Sequence, residues 1–181
     1  MRKELLRAMK NCLNSIKKGE KKFVVGFTSV VGDMLHAGHA LMLDECKMYC
    51  DYLYVGLIDD PTKDRPQKNK PIQSLFERYY QLASHRAVDE VIPLDGEADL
   101  DLAIRSLPID VRFVGEDYVG KDFTGKDTCA ELGIEIIYNR RKHNLSSTEL
   151  RMRTRKGEEE NEHSSREDRS EDNLQQEIQG M

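Results

Sequence analysis

The chain has no tryptophan, only five prolines and few aromatic residues, and it lacks a long apolar run. No segment approaches the ~20 apolar residues that span a bilayer, and the first residues lack the apolar core of a secretory signal. The four cysteines, Cys12, Cys46, Cys50 and Cys129, include no C-x-x-C pair. We therefore expect no zinc ribbon or disulfide scaffold, and we expect reduced thiols in a cytoplasmic protein.

Charge is unevenly distributed along the chain. The formal net charge of -5 disfavours a nucleic-acid partner. Residues 1–22 nevertheless carry eight Lys and Arg against two acids, whereas residues 157–181 carry nine acids against two Arg. Because the C-terminal segment has almost no large apolar residues, it is predicted to be a disordered tail. One domain is predicted between these ends, at 23–156.

The N-terminal segment has an apolar stripe at helical spacing: Leu5, Met9, Cys12, Leu13 and Ile16. This pattern predicts an amphipathic helix over 2–18. Such a helix packs its stripe on the domain or on a second subunit, or it lies on an anionic membrane surface. The absence of Trp and Phe from the stripe disfavours the membrane.

The centre of the chain alternates short apolar runs with helical patterns. Strands are predicted at 23–28, 52–58, 90–93, 111–114 and 134–138, and helices at 37–50, 73–87, 98–106, 124–132 and from 146 onward. This alternation predicts an α/β fold, a Rossmann-like parallel five-stranded sheet with helices on both faces. Ligands of such sheets bind beyond the carboxyl ends of the strands.

Two histidines follow the first predicted strand. His36 and His39 lie three residues apart at a helix start, where backbone N–H groups and the helix dipole attract anions. Gly38 between them lets a phosphate oxygen approach the backbone. The residues alone leave three interpretations: a phosphate site that stabilises phosphoryl transfer, a metal pair without a nearby third ligand, and two isolated surface histidines.

The sequence HAGH at 36–39 resembles the H-x-G-H motif of the nucleotidyltransferase superfamily. Further segments resemble glycerol-3-phosphate cytidylyltransferases within the cytidylyltransferase family: DMLHAGH at 33–39, CDYLYVGL at 50–57, Glu77-Arg78, RAVDEVIP at 86–93, GEDY at 115–118 and LSSTEL at 145–150. The resemblance is collinear over about 23–152. The segment LSSTELR is equally similar to the adenylyltransferase branch.

The resemblance implies roles for individual residues. A lysine in the loop PTKDRPQKNKP, which contains Lys63 and Arg65, is expected to close over the triphosphate; Lys70 aligns best and Lys68 second. Without the resemblance, the residues favour a solvated charged loop. For Arg86, a salt bridge is the alternative to holding a phosphate. The implied catalytic residues are His36, His39, Lys70 and Arg86. The implied nucleotide-binding residues are Thr28, Val30, Val31, Gly38, Lys68, Glu116, Asp117, Arg141, Ser146, Ser147 and Thr148.

The chain also departs from the family pattern. Val30-Val31-Gly32-Asp33 stands where the family has Gly-x-Phe-Asp, so a glycine has moved two places and a β-branched residue lies near the expected nucleotide. This change predicts either a rearranged backbone or a lower nucleotide affinity. Lys142 and Asn144 replace a family Thr and Gly, so the resemblance does not establish the nucleotide contacts of that loop.

These observations predict a cytidylyltransferase that moves CMP from CTP to a small phosphomonoester, first of all glycerol 3-phosphate, and releases pyrophosphate. Mg²⁺ is expected to arrive with the triphosphate, without a metal site of the protein's own. The family resemblance also implies a homodimer. Two alternatives stay open: an adenylyltransferase that uses ATP, and a nucleotide-binding module that has lost turnover.

Overall fold

The computed structural model describes residues 23–140 and 145–159. The predicted helix at 2–18, Arg141, Lys142, Asn144 and the tail from residue 160 lie outside the described residues. The chain divides into two units, Met1–His143 and Asn144–Met181, which are described separately. The elements of the first unit are β1 (Val25–Val30), α1 (Ala37–Lys47), β2 (Tyr52–Ile58), α2 (Leu75–Ala83), β3 (Glu90–Leu94), α3 (Glu97–Ser106), β4 (Val111–Gly115), a 3₁₀ turn (Glu116–Tyr118), α4 (Lys126–Leu132) and β5 (Glu135–Asn139).

The five strands form one sheet in the order β3-β2-β1-β4-β5. Every strand pair is parallel, which confirms the predicted α/β fold. The chain first builds outward from β1 through β2 to β3, then crosses over and builds outward through β4 to β5. Strand order therefore reverses between β1 and β4, and such switch points open a crevice at the carboxyl ends of the strands.

Apolar side chains cover both faces of the sheet. On one face, Leu43 of α1 and Leu82 of α2 are buried in a cluster with Phe113. On the other face, Ile104 of α3 and Cys129 of α4 are buried with Phe27 of β1. The short apolar strands are thus buried from both sides, as their near-continuous hydrophobicity predicts. Within residues 23–140 and 145–159, no helix combines the length and the hydropathy that a membrane span needs.

Element boundaries differ from the sequence prediction where local capping decides them. Helix α2 begins only after Ser74, because the Ser74 side chain accepts from the N–H of Glu77 while the Glu77 carboxylate accepts from the Ser74 N–H. Strand β1 begins two residues later than predicted and continues to Val30, since its register with β2 runs to Val30 opposite Leu57. The loop to the histidines is correspondingly shorter.

The second unit is described from residue 145 to 159 and is helical over 147–159. Ser146 begins this helix, because its Oγ accepts from the N–H of Glu149 at 3.1 Å. The helix continues through Gly157, where the sequence predicted a disordered tail. An i, i+4 ion pair of Arg155 with Glu159 spans this position, so the start of the acidic segment has helical structure.

Gly26 of β1 is a packing-limited position. A Cβ at this residue would lie 2.7 Å from both Cys50 Sγ and Phe113 Cε2, whereas a Cβ at Gly157 would meet no atom within 4 Å. We expect Gly26→Ala to lower the free energy of unfolding by about 1–3 kcal/mol through overpacking. The control Gly157→Ala should leave it unchanged or raise it, because Ala is the better helix former. Urea denaturation of both variants measures the difference, and equal midpoints would contradict this packing.

Candidate active site

The described candidate residues of the first unit lie mostly in loops that follow strands. His36 and His39 come after β1, Lys68 and Lys70 after β2, and Glu116 with Asp117 after β4. Because all strands are parallel, these loops meet at one edge of the sheet, at the switch point. Topology therefore brings together three of the segments that the sequence analysis singled out.

The two imidazoles form the cap of helix α1. His36 is the N-cap residue, and its Nδ1 accepts from the N–H of Gly38 at 3.0 Å. The N–H of His36 in turn donates to His39 Nδ1 at 3.4 Å, and the ring centroids are 4.1 Å apart. Since both Nδ1 atoms accept, the proton of each neutral ring lies on Nε2. The pair thus carries two Nε2–H donors at the positive end of a helix.

This cap corrects one detail of the expected phosphate site. The N–H of Gly38 is bonded to His36 Nδ1, and the N–H of His39 is bonded to the carbonyl of His36 at 2.9 Å. In this conformation, these two amides are directed into the helix cap. The imidazoles, held by the same hydrogen bonds, are the side chains suited to donate to a phosphate.

The loop between β1 and the histidines contains two left-handed residues. Gly32 has φ +66°, and Leu82 Cδ1 would lie 3.2 Å from a Cβ there. Met34 has φ +50°, a conformation that costs a non-glycine residue about 1–3 kcal/mol and is common at functional sites. The glycine that moved two places therefore occupies a left-handed turn that favours glycine; the rearranged backbone and the lower nucleotide affinity stay predictions.

The start of α2 is fastened to the same loop. Asp33 is buried, and its Oδ1 accepts from the N–H groups of Ile72 and Gln73 at 3.0 Å each. The Gln73 side chain returns the contact by accepting from the N–H of Met34 at 2.6 Å. These hydrogen bonds fix the segment that leads into His36, and sequence reasoning assigned no role to Asp33 or Gln73.

Arg78 is the buried centre of this region, with 2% of its surface exposed. Its guanidinium donates to four backbone carbonyls: Val31 at 2.8 Å, Ile58 at 2.7 Å, Asp59 at 2.7 Å and Gln73 at 3.1 Å. Burial lowers the pKa of this guanidinium, and the four carbonyls together with Asp59 compensate the charge. The sequence analysis quoted Glu77-Arg78 as part of the family pattern but did not identify this role.

The loop after β2 carries the expected lysines. Lys68 and Lys70 are both exposed. The N–H of Lys68 donates to the carbonyl of Arg65 at 2.9 Å, which closes a turn, and Lys63 contacts Asp59 and Asp95. Two cationic side chains thus extend from a folded loop at the edge where the histidines lie, an arrangement that suits a polyphosphate.

The central part of the chain is similar to a known protein family. Residues 33–153 match the family model described as cytidylyltransferase-like. The chain belongs to the cytidylyltransferase-like family. The matched region contains the histidine pair, the lysine loop and the helix start at 146–148.

Curated proteins are also similar to this chain. The chain is 36% identical over 127 residues to the "Bifunctional protein HldE" of Caulobacter sp. strain K31, covering 70% of this chain and 26% of that protein. It is 38% identical over 103 residues to HldE of Paramagnetospirillum magneticum, covering 56% of this chain and 20% of that protein. The chain thus spans about a quarter of the relatives it matches.

Two solved structures share the fold. The first is the lipopolysaccharide core biosynthesis protein of Thermoplasma volcanium, with TM-score 0.55, 23% identity, and coverage of 68% of this chain and all of that one. The second is pantothenate synthetase from Thermus thermophilus, with TM-score 0.53 and 14% identity. The match covers 72% of this chain and 62% of that one. At these identities, the likeness shows the fold alone.

Arg86 lies apart from the other implied catalytic residues of the family. It precedes β3, so it sits at the amino edge of the sheet, and its guanidinium forms two hydrogen bonds with Asp44 of α1, at 3.2 and 2.6 Å. This contact lowers the pKa of Asp44. Asp44 is eight residues along α1 from His36, about 12 Å at 1.5 Å per residue. The structure therefore does not bring Arg86 to the histidines, and the salt-bridge interpretation describes its contacts.

Three implied nucleotide contacts have structural roles in β1 and its loop. The buried Thr28 hydroxyl donates to the carbonyl of Phe113, which joins β1 to β4. Val30 packs against the apolar cluster, and the carbonyl of Val31 is held by Arg78. These contacts therefore stabilise the sheet and the loop, and a nucleotide contact from the three residues stays a prediction.

The described residues offer neither a metal-binding cluster nor an activated thiol. In the two described ranges, no group of three or more His, Cys, Asp and Glu is arranged to hold a metal ion. Cys46, Cys50 and Cys129 are free and buried. Burial raises the pKa of Cys46, and it raises that of Cys50 to about 11, so these two thiols are protonated near neutral pH and unsuited as nucleophiles.

Arg78 and Arg86 are predicted to contribute very differently to the free energy of unfolding. Arg78→Met would leave buried carbonyls without donors, so we expect the free energy of unfolding to fall by at least about 3 kcal/mol. Arg86→Met removes an arginine with an 82% exposed side chain and should leave stability close to that of the wild type. Chemical denaturation of both variants measures this difference. An Arg78→Met protein as stable as the wild type would contradict the role given to Arg78.

Proposed function

We propose that the protein transfers a nucleotidyl group from a nucleoside triphosphate to a phosphomonoester, with CTP and glycerol 3-phosphate as the first candidate pair. The observation that carries this proposal is the histidine pair, which places two Nε2–H donors at the start of α1. Membership of the cytidylyltransferase-like family supports the reaction class. A location in the cytoplasm and a homodimer stay predictions.

The reaction needs no nucleophile from the protein. A phosphate oxygen of the acceptor attacks the α-phosphorus, a new phosphorus–oxygen bond forms, and the bond to the bridging oxygen of the leaving pyrophosphate breaks. His36 and His39 donate to the α-phosphate oxygens as their charge grows. Lys68 and Lys70 neutralise the departing phosphates. Mg²⁺ enters as part of the triphosphate substrate.

An adenylyl transfer from ATP is the second candidate. It is supported by the resemblance of the segment LSSTELR at 145–151 to the adenylyltransferase branch. Ser146 caps the helix that begins in this segment. The relatives named above are HldE proteins, and their names point to neither glycerol 3-phosphate nor CTP. The choice of nucleotide and acceptor is therefore an experimental question that one panel answers.

The histidines are tested by separating capping from catalysis. His36→Asn keeps an acceptor for the N–H of Gly38, because Asn Oδ1 takes the position of Nδ1, but it loses the Nε2–H donor. We expect this variant to fold with near-wild-type stability and to lose at least about 10²-fold in kcat. His39→Ala should lose a comparable factor. Continuous detection of pyrophosphate measures both rates.

His85 supplies the matched control. It also accepts a backbone N–H through Nδ1, from Ala87, but it lies between α2 and β3 at the opposite edge of the sheet. His85→Ala should retain wild-type kcat. Near-wild-type activity of folded His36→Asn and His39→Ala would refute the assignment of the pair.

The substrates are tested with CTP, ATP, GTP and UTP, each with Mg²⁺ and with glycerol 3-phosphate or a sugar phosphate. We expect one triphosphate to release pyrophosphate only in the presence of an acceptor, because the acceptor supplies the nucleophile. The same triphosphate should raise the melting temperature, since ligand binding stabilises the folded state. Tight nucleotide binding without pyrophosphate release for any acceptor would instead indicate a binding module without turnover.

A further inference from the structure

Arg65 joins three segments that lie far apart in the sequence. It lies in the loop after β2, its Nε contacts Glu97 at the start of α3, and its Nη1 donates to the Tyr118 hydroxyl at 2.9 Å in the 3₁₀ turn after β4. One guanidinium thus connects the lysine loop to the segment that carries Glu116 and Asp117. We call this set of contacts, formed by Arg65, Glu97 and Tyr118, the loop clamp.

Glu97 is a fixed partner in the loop clamp. Its second carboxylate oxygen accepts from the Thr124 hydroxyl, and its N–H donates to Asp64 Oδ2 at 2.8 Å. A Cβ at residue 96 would lie 2.6 Å from Asp64 Oδ2, so Gly96 allows this approach. Glu97 therefore has little freedom to follow Arg65 outward.

The ion pair of the loop clamp is more shielded than the exposed pair of Arg86 with Asp44. The side chains of Arg65 and Glu97 are 31% and 34% exposed, whereas Arg86 is 82% exposed in its pair with Asp44. Shielded, charge-assisted hydrogen bonds hold their geometry better than exposed pairs, which contribute little. Phe123 packs edge-on against the Tyr118 ring, with centroids 5.7 Å apart, and keeps the hydroxyl in place.

The backbone of Arg65 also sets the position of the lysines. Its N–H donates to the carbonyl of Pro61 at 3.0 Å, and its carbonyl accepts from the N–H of Lys68 at 2.9 Å. A displacement of Arg65 therefore moves the turn that carries Lys68 and, two residues later, Lys70. Neither lysine belongs to the loop clamp, yet both depend on it.

We propose that Arg65 is a positioning residue that locks the lysine loop and the Glu116–Tyr118 turn into one rim of the nucleotide site. It does not touch the reacting atoms. It orders two loops before the triphosphate binds, so their ordering does not reduce the free energy of binding. This inference rests on the proposed function for its effect on nucleotide binding. The linkage of the two loops is independent of any activity.

The first test measures that linkage by hydrogen–deuterium exchange of the substrate-free full chain. We expect Arg65→Met to speed exchange in both segments, residues 61–71 and 116–121, while β1 and β2 stay unchanged. The control Arg105→Met removes a guanidinium that contacts Asp101, Glu131 and Thr128, all outside both segments. It should alter exchange in neither. Unchanged exchange at 116–121 in Arg65→Met would overturn the linkage, whether or not the protein has activity.

The second test uses kinetics with the nucleotide that proves active. Arg65→Met should raise the KM for the triphosphate about tenfold while kcat stays within about threefold, since the clamp orders loops and does not touch the transition state. Arg65→Lys should recover part of this loss. Tyr118→Phe, which removes only one hydroxyl, should raise KM less and add nothing to Arg65→Met, because the two changes break the same contact.

These outcomes separate the two proposals. A wild-type KM in Arg65→Met, in an active enzyme, overturns the positioning role and leaves the proposed function intact. An inactive wild type overturns the proposed function and leaves the exchange experiment to decide the loop clamp. If Arg65→Met does not fold, Tyr118→Phe decides: faster exchange at 61–71 supports the clamp and unchanged exchange refutes it.

Discussion

The candidate site depends on one buried cation. Arg78 is almost completely enclosed and donates to carbonyls at the ends of β1 and β2 and at the start of α2. Carbonyls at strand ends have no partner within the sheet, and leaving them buried and unbonded is costly. One planar guanidinium, with five donors in a rigid fork, satisfies several of them together. The loop to His36 therefore leaves β1 in a defined direction before any ligand is present.

The fold could be predicted because its signals are local and repeated. Runs such as VVGF and YLYVGLI are short, apolar and rich in β-branched residues, and each is followed by a helical pattern, so a parallel sheet follows. Boundaries were less accurate because single hydrogen bonds decide them. Ser74 with Glu77 moves the start of α2, and Arg155 with Glu159 accompanies a helix that continues past Gly157. Such pairs shift a helix boundary by only a few residues, and neither the apolar pattern nor the composition of the segment shows them.

The candidate site was predictable only in part, for a different reason. His36 and His39 were found because their spacing on a helix start carries a recognisable chemistry. Arg86 was placed with them by similarity, although position along the chain does not show which edge of the sheet a loop reaches. Asp33, Arg65 and Arg78 act through contacts with residues 20 to 53 positions away. No pattern in the sequence predicts such contacts before the topology is known.

At the carboxyl edge of the sheet, each face holds a different loop of the candidate site in place. On the face of α1 and α2, Arg78, Asp33 and Gln73 fix the loop that presents the imidazoles. On the face of α3, Arg65 and Glu97 fix the loop that presents the lysines. Transition-state charge is stabilised best by donors that need no reorganisation when the reaction occurs. In this arrangement, the groups suited to touch a phosphate are few and largely at the surface, and their rigidity comes from buried or shielded arginines that never need to touch it.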